Sequence, residues 1–138
     1  HIVVKFVWRE VIMMRLNPDC IRDILLALEE HINNCGIVFS VNDKNELNLN
    51  QYSDDEIEYH IRQCNLSGFF YDYSRQLGGA HRIKDLTPLA HEFLANIRED
   101  NNWNKTKECA KKIGSFSINA LMGIASNVVS AAIKNSLY

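Results

Sequence analysis

Nineteen residues from Tyr52 to Phe70, YSDDEIEYHIRQCNLSGFF, constrain the fold more than any other part of the chain. Ser53 can accept hydrogen bonds from the first free amides of a helix, and Asp54, Asp55 and Glu56 place negative charge at the positive end of its dipole. Ile57, Ile61 and Cys64 then recur at four and three residues, a buried helical stripe, while Asp55, Glu58, Tyr59 and Arg62 project from the other side. Gly68 suits the left-handed position that ends a helix, and Phe69, Phe70, Tyr71 and Tyr73 continue as an aromatic strand.

Signals of the same kind divide the rest of the chain. Asn17-Pro18 opens a helix whose buried face is Ile21, Ile24, Leu25, Leu28 and Ile32. Asn33 to Gly36 ends it, Ile37 to Val41 reads as a strand, and Asn42 to Asn45 reads as a turn. Leu47 and Leu49 alternate with Asn48 and Asn50, which fits a second short strand or a short helix. Ser74 to Gly79 is the tip of a hairpin between Phe69–Tyr73 and Ala80–Leu86. Thr87-Pro88 starts another helix, with Ala90, Phe93, Leu94 and Ile97 inward. A polar break at 98–102 precedes a helix from Trp103 to Ile113 that carries Lys105, Lys107, Lys111 and Lys112.

From Gly114 to Ile133 no residue is charged, close to the length of a membrane span. Six serines and asparagines hold its hydrophobicity below that of a spanning segment, so packing on its own domain or self-association is expected, and membrane contact is not. Residues 1–13, HIVVKFVWREVIM, read as an upstream or expression-derived segment because Met14-Arg15-Leu16 makes a natural opening; an edge strand is the alternative. The expected division is therefore 1–13, a domain over 14–100, and a helical C-terminal extension over 101–138, all within one α+β fold.

The order helix, strand, helix with glycine exit, hairpin, helix is that of a winged-helix-like domain, and YHIRQCNLSGFF resembles the stretch where a recognition helix runs into the wing. CIRDILLALEEH, SDDEIEYHI, LT with HEFL, and W-x-K-x-K from Trp103 to Lys107 follow one another as in the small bacterial and prophage proteins grouped as domain of unknown function 2513, which the chain resembles over Arg15 to Tyr138, with kinship to YjcQ-like winged helices. Two departures stand out: Ala90 replaces a glycine, and Gln63-Cys64 replaces paired leucines. The resemblance implies a winged-helix architecture and, by analogy, a role in phage regulation or in meeting host factors.

Chemistry narrows the function classes. Fifteen basic residues against seventeen acidic ones provide no overall basic field for nucleic acid. The helix that would read DNA carries Asp54, Asp55, Glu56 and Glu58 against Arg62 alone. Phosphate contact would fall to Arg75, Arg82 and Lys84 of the hairpin and to Lys105 and Lys111, the alternative reading of a DNA-binding transcriptional regulator. Protein or self-association needs no such field, and its candidate contacts are Asp55, Glu58, Tyr59, Arg62, Tyr71 and Tyr73.

His31 with Cys35 and His60 with Cys64 each sit one helical turn apart, the ligand types of a Cys2His2 zinc site, but core thiols and boundary histidines are the default and no metal is expected. No GxSxG, phosphate-binding glycine loop or HExxH is present, and His91-Glu92 fits packing better than acid–base work, so the expectation is a non-enzymatic binding module without cofactor or small-molecule substrate. Four cysteines without CxxC spacing fit reduced thiols in a cytoplasm.

Overall fold

A computed structural model of the chain describes residues 14–137; the expectations for residues 1–13, upstream segment or edge strand, lie outside the described residues. The elements follow in the order α1 (Pro18–His31), β1 (Ile37–Phe39), α2 (Asp54–Leu66), β2 (Phe70–Arg75), β3 (His81–Leu86), α3 (Pro88–Ile97), α4 (Asp100–Ile113) and α5 (Ile118–Leu137). The fold is α+β: an antiparallel three-stranded sheet in the order β1-β3-β2, with helices packed against it and a long helix at the C-terminal end.

The helix ends form where the side chains dictate. Asn17 accepts from the Asp19 amide, Ser53 from Glu56 and Thr87 from Ala90, each satisfying an amide that the first turn leaves free. At the exit of α2, Gly68 takes φ +79°, and the amides of Gly68 and Phe69 donate to the carbonyls of Asn65 and Cys64. This paired closure turns the chain directly into β2. Thr87 reaches back to the same corner, its amide donating to Phe69 and its hydroxyl to the Gly68 carbonyl at 2.6 Å, so α3 starts beside the end of α2.

The core is continuous across the chain. Ile21, Ile24, Leu25 and Leu28 of α1 meet Ile57, Ile61 and Cys64 of α2, Ile83 of β3 and Phe93, Leu94 and Ile97 of α3, all at most 2% exposed. Phe69 stacks on Phe93 with ring centres 5.7 Å apart. Trp103, Thr106 and Ala110 of α4 and Ile118, Leu121 and Ala125 of α5 belong to the same buried set. Beyond Ala125, α5 buries no further residue. Among the described residues no helix is long and apolar enough to cross a membrane.

One segment differs from both expected forms. Residues 41–51 make a 3-10 turn, Val41–Asp43, capped by Ser40, followed by hydrogen-bonded turns rather than a strand or a helix before α2. Asn48 takes φ +57°, a left-handed conformation that asparagine tolerates. Leu47 and Leu49 both point inward, 5% and 2% exposed, as the alternation of a strand would also have placed them, but here from successive turns.

Candidate functional site

The outward side of α2 is the centre of the candidate surface, and the structure sorts the expected contacts into two groups. Asp55 and Arg62 are exposed and Tyr59 is half-buried, as a presented face requires. Glu58 is engaged instead. Its Oε1 accepts from His81 Nε2 at 2.8 Å and its Oε2 pairs with Arg75 Nη2 at 2.7 Å, while the other ring nitrogen of His81 meets the Tyr73 hydroxyl at 2.7 Å. His81 is only 1% exposed, so this chain of contacts locks the hairpin to α2. Burial pushes the Tyr73 hydroxyl above the usual tyrosine range, the opposite of what an activated nucleophile needs. Tyr71 stands free of it at 61% exposure.

The hairpin cations are also taken up locally. Besides Arg75 on Glu58, Arg82 lies 3.9 Å from Asp72 and Lys84 Nζ donates to the Asn34 carbonyl at 3.3 Å. Lys105, Lys111 and Lys112 of α4 are exposed and make no ion pair among the described residues, but α4 packs chiefly on α3 and α5 and not on the hairpin. The expected phosphate contacts therefore stand on two separate elements. The charge is unevenly distributed. Residues 14–100 hold 8 basic and 15 acidic side chains, net −7, whereas residues 101–138 hold 5 basic and 1 acidic, net +4.

His60 has a role that its sequence position hides. It is fully buried, and its Nε2 accepts the Asn17 amide at 2.7 Å while Nδ1 lies 2.7 Å from the Glu56 carbonyl. An amide can only donate and a carbonyl can only accept, so the ring is fixed as the neutral Nδ1–H form. Burial holds its pKa below the ordinary 6.5, more than the Glu56 contacts raise it. The unfolded chain therefore binds this proton more readily. Stability from His60 is complete above about pH 6.5 and falls as the pH drops below it, by at most about 1.4 kcal/mol per pH unit. Urea midpoints measured from pH 8 to pH 5 should show this decline and lose it in His60→Asn; the same slope in both proteins would refute the assignment.

With both nitrogens used, His60 is unavailable to a metal. Cys64 is also wholly buried, and burial raises the thiol pKa of both Cys64 and Cys20 far above the ordinary range. His31 and Cys35 are exposed at the other end of α1, with His31 Nδ1 on the Ala27 carbonyl. The four zinc-ligand types are not brought together, and no metal-binding cluster of three such residues exists among the described residues. His91 is half exposed, 3.9 Å from Glu29, and not enclosed by packing.

What sequence reasoning missed is a hollow of about 490 Å³ alongside α2. It is lined by Leu16, Tyr59, Gln63 and Leu66 on one side and by Ile118 and Met122 of α5 on the other. Leu66, at 72% exposure, stands at its edge, an apolar side chain with no cover of its own. A second hollow of about 290 Å³ lies on the other side of Met122, between Leu89 and Phe93 of α3 and Gly123 and Ser126 of α5. The only sequence signal was the spacing Tyr59, Gln63, Leu66, which follows a helical face beside the buried stripe.

Comparison with known proteins adds a family but no activity. The family model described as "Hypothetical protein (DUF2513)" matches residues 15–117. A Haemophilus influenzae protein described only as uncharacterized is 28% identical over 120 residues, which cover 85% of this chain and 97% of that protein. No solved structure matches the chain.

Proposed function

The chain belongs to the family described as hypothetical protein DUF2513, and on that premise we propose that it is a non-enzymatic protein-binding module whose contact surface runs along α2 and the start of α5. The observation that carries this reading is the 490 Å³ hollow beside the C-terminal half of α2, where Leu16, Tyr59, Leu66, Ile118 and Met122 stand among Gln63, Ser67, Ser117 and Asn119. An uncovered leucine beside an aromatic, rimmed by uncharged polar side chains, is the composition of a protein contact. Duplex DNA is the second reading, favoured only by Lys105, Lys111 and Lys112. Against it stand the acids of α2, which repel phosphate at the face a reading helix would offer, and the engagement of Arg75 with Glu58.

A photo-crosslinking residue, p-benzoylphenylalanine, in place of Leu66 tests the proposal in cells expressing the chain. Irradiation is expected to give protein adducts from position 66 and none from Leu77, which is fully exposed at the hairpin tip. Fluorescence anisotropy with random duplex DNA at low salt is expected to stay flat. Salt-dependent DNA binding that Lys105→Glu with Lys111→Glu removes, together with no adduct at position 66, would overturn the proposal in favour of the regulator.

A further inference from the structure

Helix α5 is longer than the partner it packs on. At about 1.5 Å per residue, the 14 residues of α4 span about 21 Å and the 20 of α5 about 30 Å. The two run back to back from the turn at Gly114, so α5 overhangs by about two turns. The overhang holds Ile133, Lys134 and Leu137, with Ile133 53% and Leu137 71% exposed.

The same helix has two faces. Ile118, Leu121 and Ala125 point into the domain. Met122, Ser126, Val129 and Ile133, spaced four, three and four, form a stripe along one edge of that face; Met122 is partly buried against the core and is shared by both hollows. Laid antiparallel against its own copy about an axis between Asn127 and Val128, this stripe matches itself: Met122 faces Ile133, Ser126 faces Val129, and the start of the helix at Ile118 faces Leu137. Each overhang then arrives at the hollow beside the other copy's α2.

We propose that the occupant of that hollow is a second copy of this chain, the two joined as a symmetric dimer through antiparallel α5 helices, with Ile133 and Leu137 of each inserted between α2 and the start of α5 of the other. This names the partner of the surface proposed above and rests on that reading. Charge is in keeping with the geometry, since residues 101–138 carry net +4 against net −7 for residues 14–100, Lys134 rides on the overhang, and Asp55 of α2 makes no ion pair among the described residues. The contact is self-complementary and closes at two, so it does not propagate into fibres.

Sedimentation equilibrium of the full chain should show a dimer. Ile133→Asp with Leu137→Asp should raise its dissociation constant about 100-fold or more, since charge replaces the apolar anchors. The circular dichroism should stay unchanged, because among the described residues α5 has no buried side chain beyond Ala125. In a Cys35→Ser, Cys109→Ser background, chains carrying Met122→Cys mixed with chains carrying Ile133→Cys should form disulfide-linked pairs, and Met122→Cys alone should not. A monomer at every concentration, or a dimer that the two aspartates leave intact, would overturn the proposal. If position 66 then still crosslinks to a different protein, the binding-module reading survives without the dimer; if it crosslinks to nothing, both fall.

Discussion

Trp103→Ala should destabilise the fold by about 3–5 kcal/mol, the range for removing a large aromatic from a packed interior. Trp103 is 2% exposed, and it joins α4 to α1 by more than packing. Its indole N–H donates to Asp19 Oδ1 at 2.8 Å, and Lys107 Nζ donates to the same oxygen at 2.9 Å. Lys107 and Arg22 also lie 5.5 Å and 5.8 Å from the ring centre. Burial raises the Asp19 carboxyl, but the hydrogen bonds from Lys107 and Trp103 outweigh it and hold the group below the usual carboxylate range. Trp103→Phe keeps most of the volume and loses the donor, and about 1–3 kcal/mol is expected for it. Urea unfolding followed by far-ultraviolet circular dichroism measures both variants. A loss below about 1 kcal/mol for the alanine would show that α4 is held by its contacts with α3 and α5 alone.

Gly36→Ala should cost about 3 kcal/mol or more, from a change of one methyl group. Gly36 has φ +90°, a conformation that costs an L-residue about 1–2 kcal/mol. A Cβ there would also sit 2.4 Å from the Ile83 carbonyl oxygen and 3.0 Å from the Lys84 Cα. Both are backbone atoms of β3, the central strand, and cannot move without breaking the pairing of Ile37 with Ile83. Gly68 provides the comparison. It has φ +79° but nothing within 4 Å of an added Cβ, so Gly68→Ala should carry only the conformational cost of about 1–2 kcal/mol. Equal losses in the two variants, or undisturbed amide exchange along β1 in Gly36→Ala, would contradict the close approach seen at Ile83.

These sites show where the fold was legible in the sequence. The helix starts at Asn17-Pro18, Ser53 and Thr87-Pro88 and the exit at Gly68 were readable because capping is local: donor and acceptor lie within five residues of each other. Residues 41–51 were not, because a strand would bury Leu47 and Leu49 together just as the observed turns do, so their spacing does not reveal the left-handed turn at Asn48. The outward placement of Asp55, Tyr59 and Arg62 was legible, because helical periodicity alone separates the two faces of α2. It failed at Glu58, which that periodicity places in solvent and the hairpin covers through His81, 23 residues away. The W-x-K-x-K pattern was visible, but not its purpose, since the Asp19 it holds is 84 residues from Trp103. The hollow beside α2 depends on where α5 crosses, which no local signal sets.

In the dimer proposed above, a segment of net +4, residues 101–138, would approach a segment of net −7, residues 14–100, of the other copy. Such opposed charge would orient two copies before they touch and favour that approach. That bias acts on the rate of encounter and not on the lifetime of the complex. Its reach is a Debye length, about 10 Å at 0.1 M salt, so pairing should slow as salt rises while separation keeps its pace.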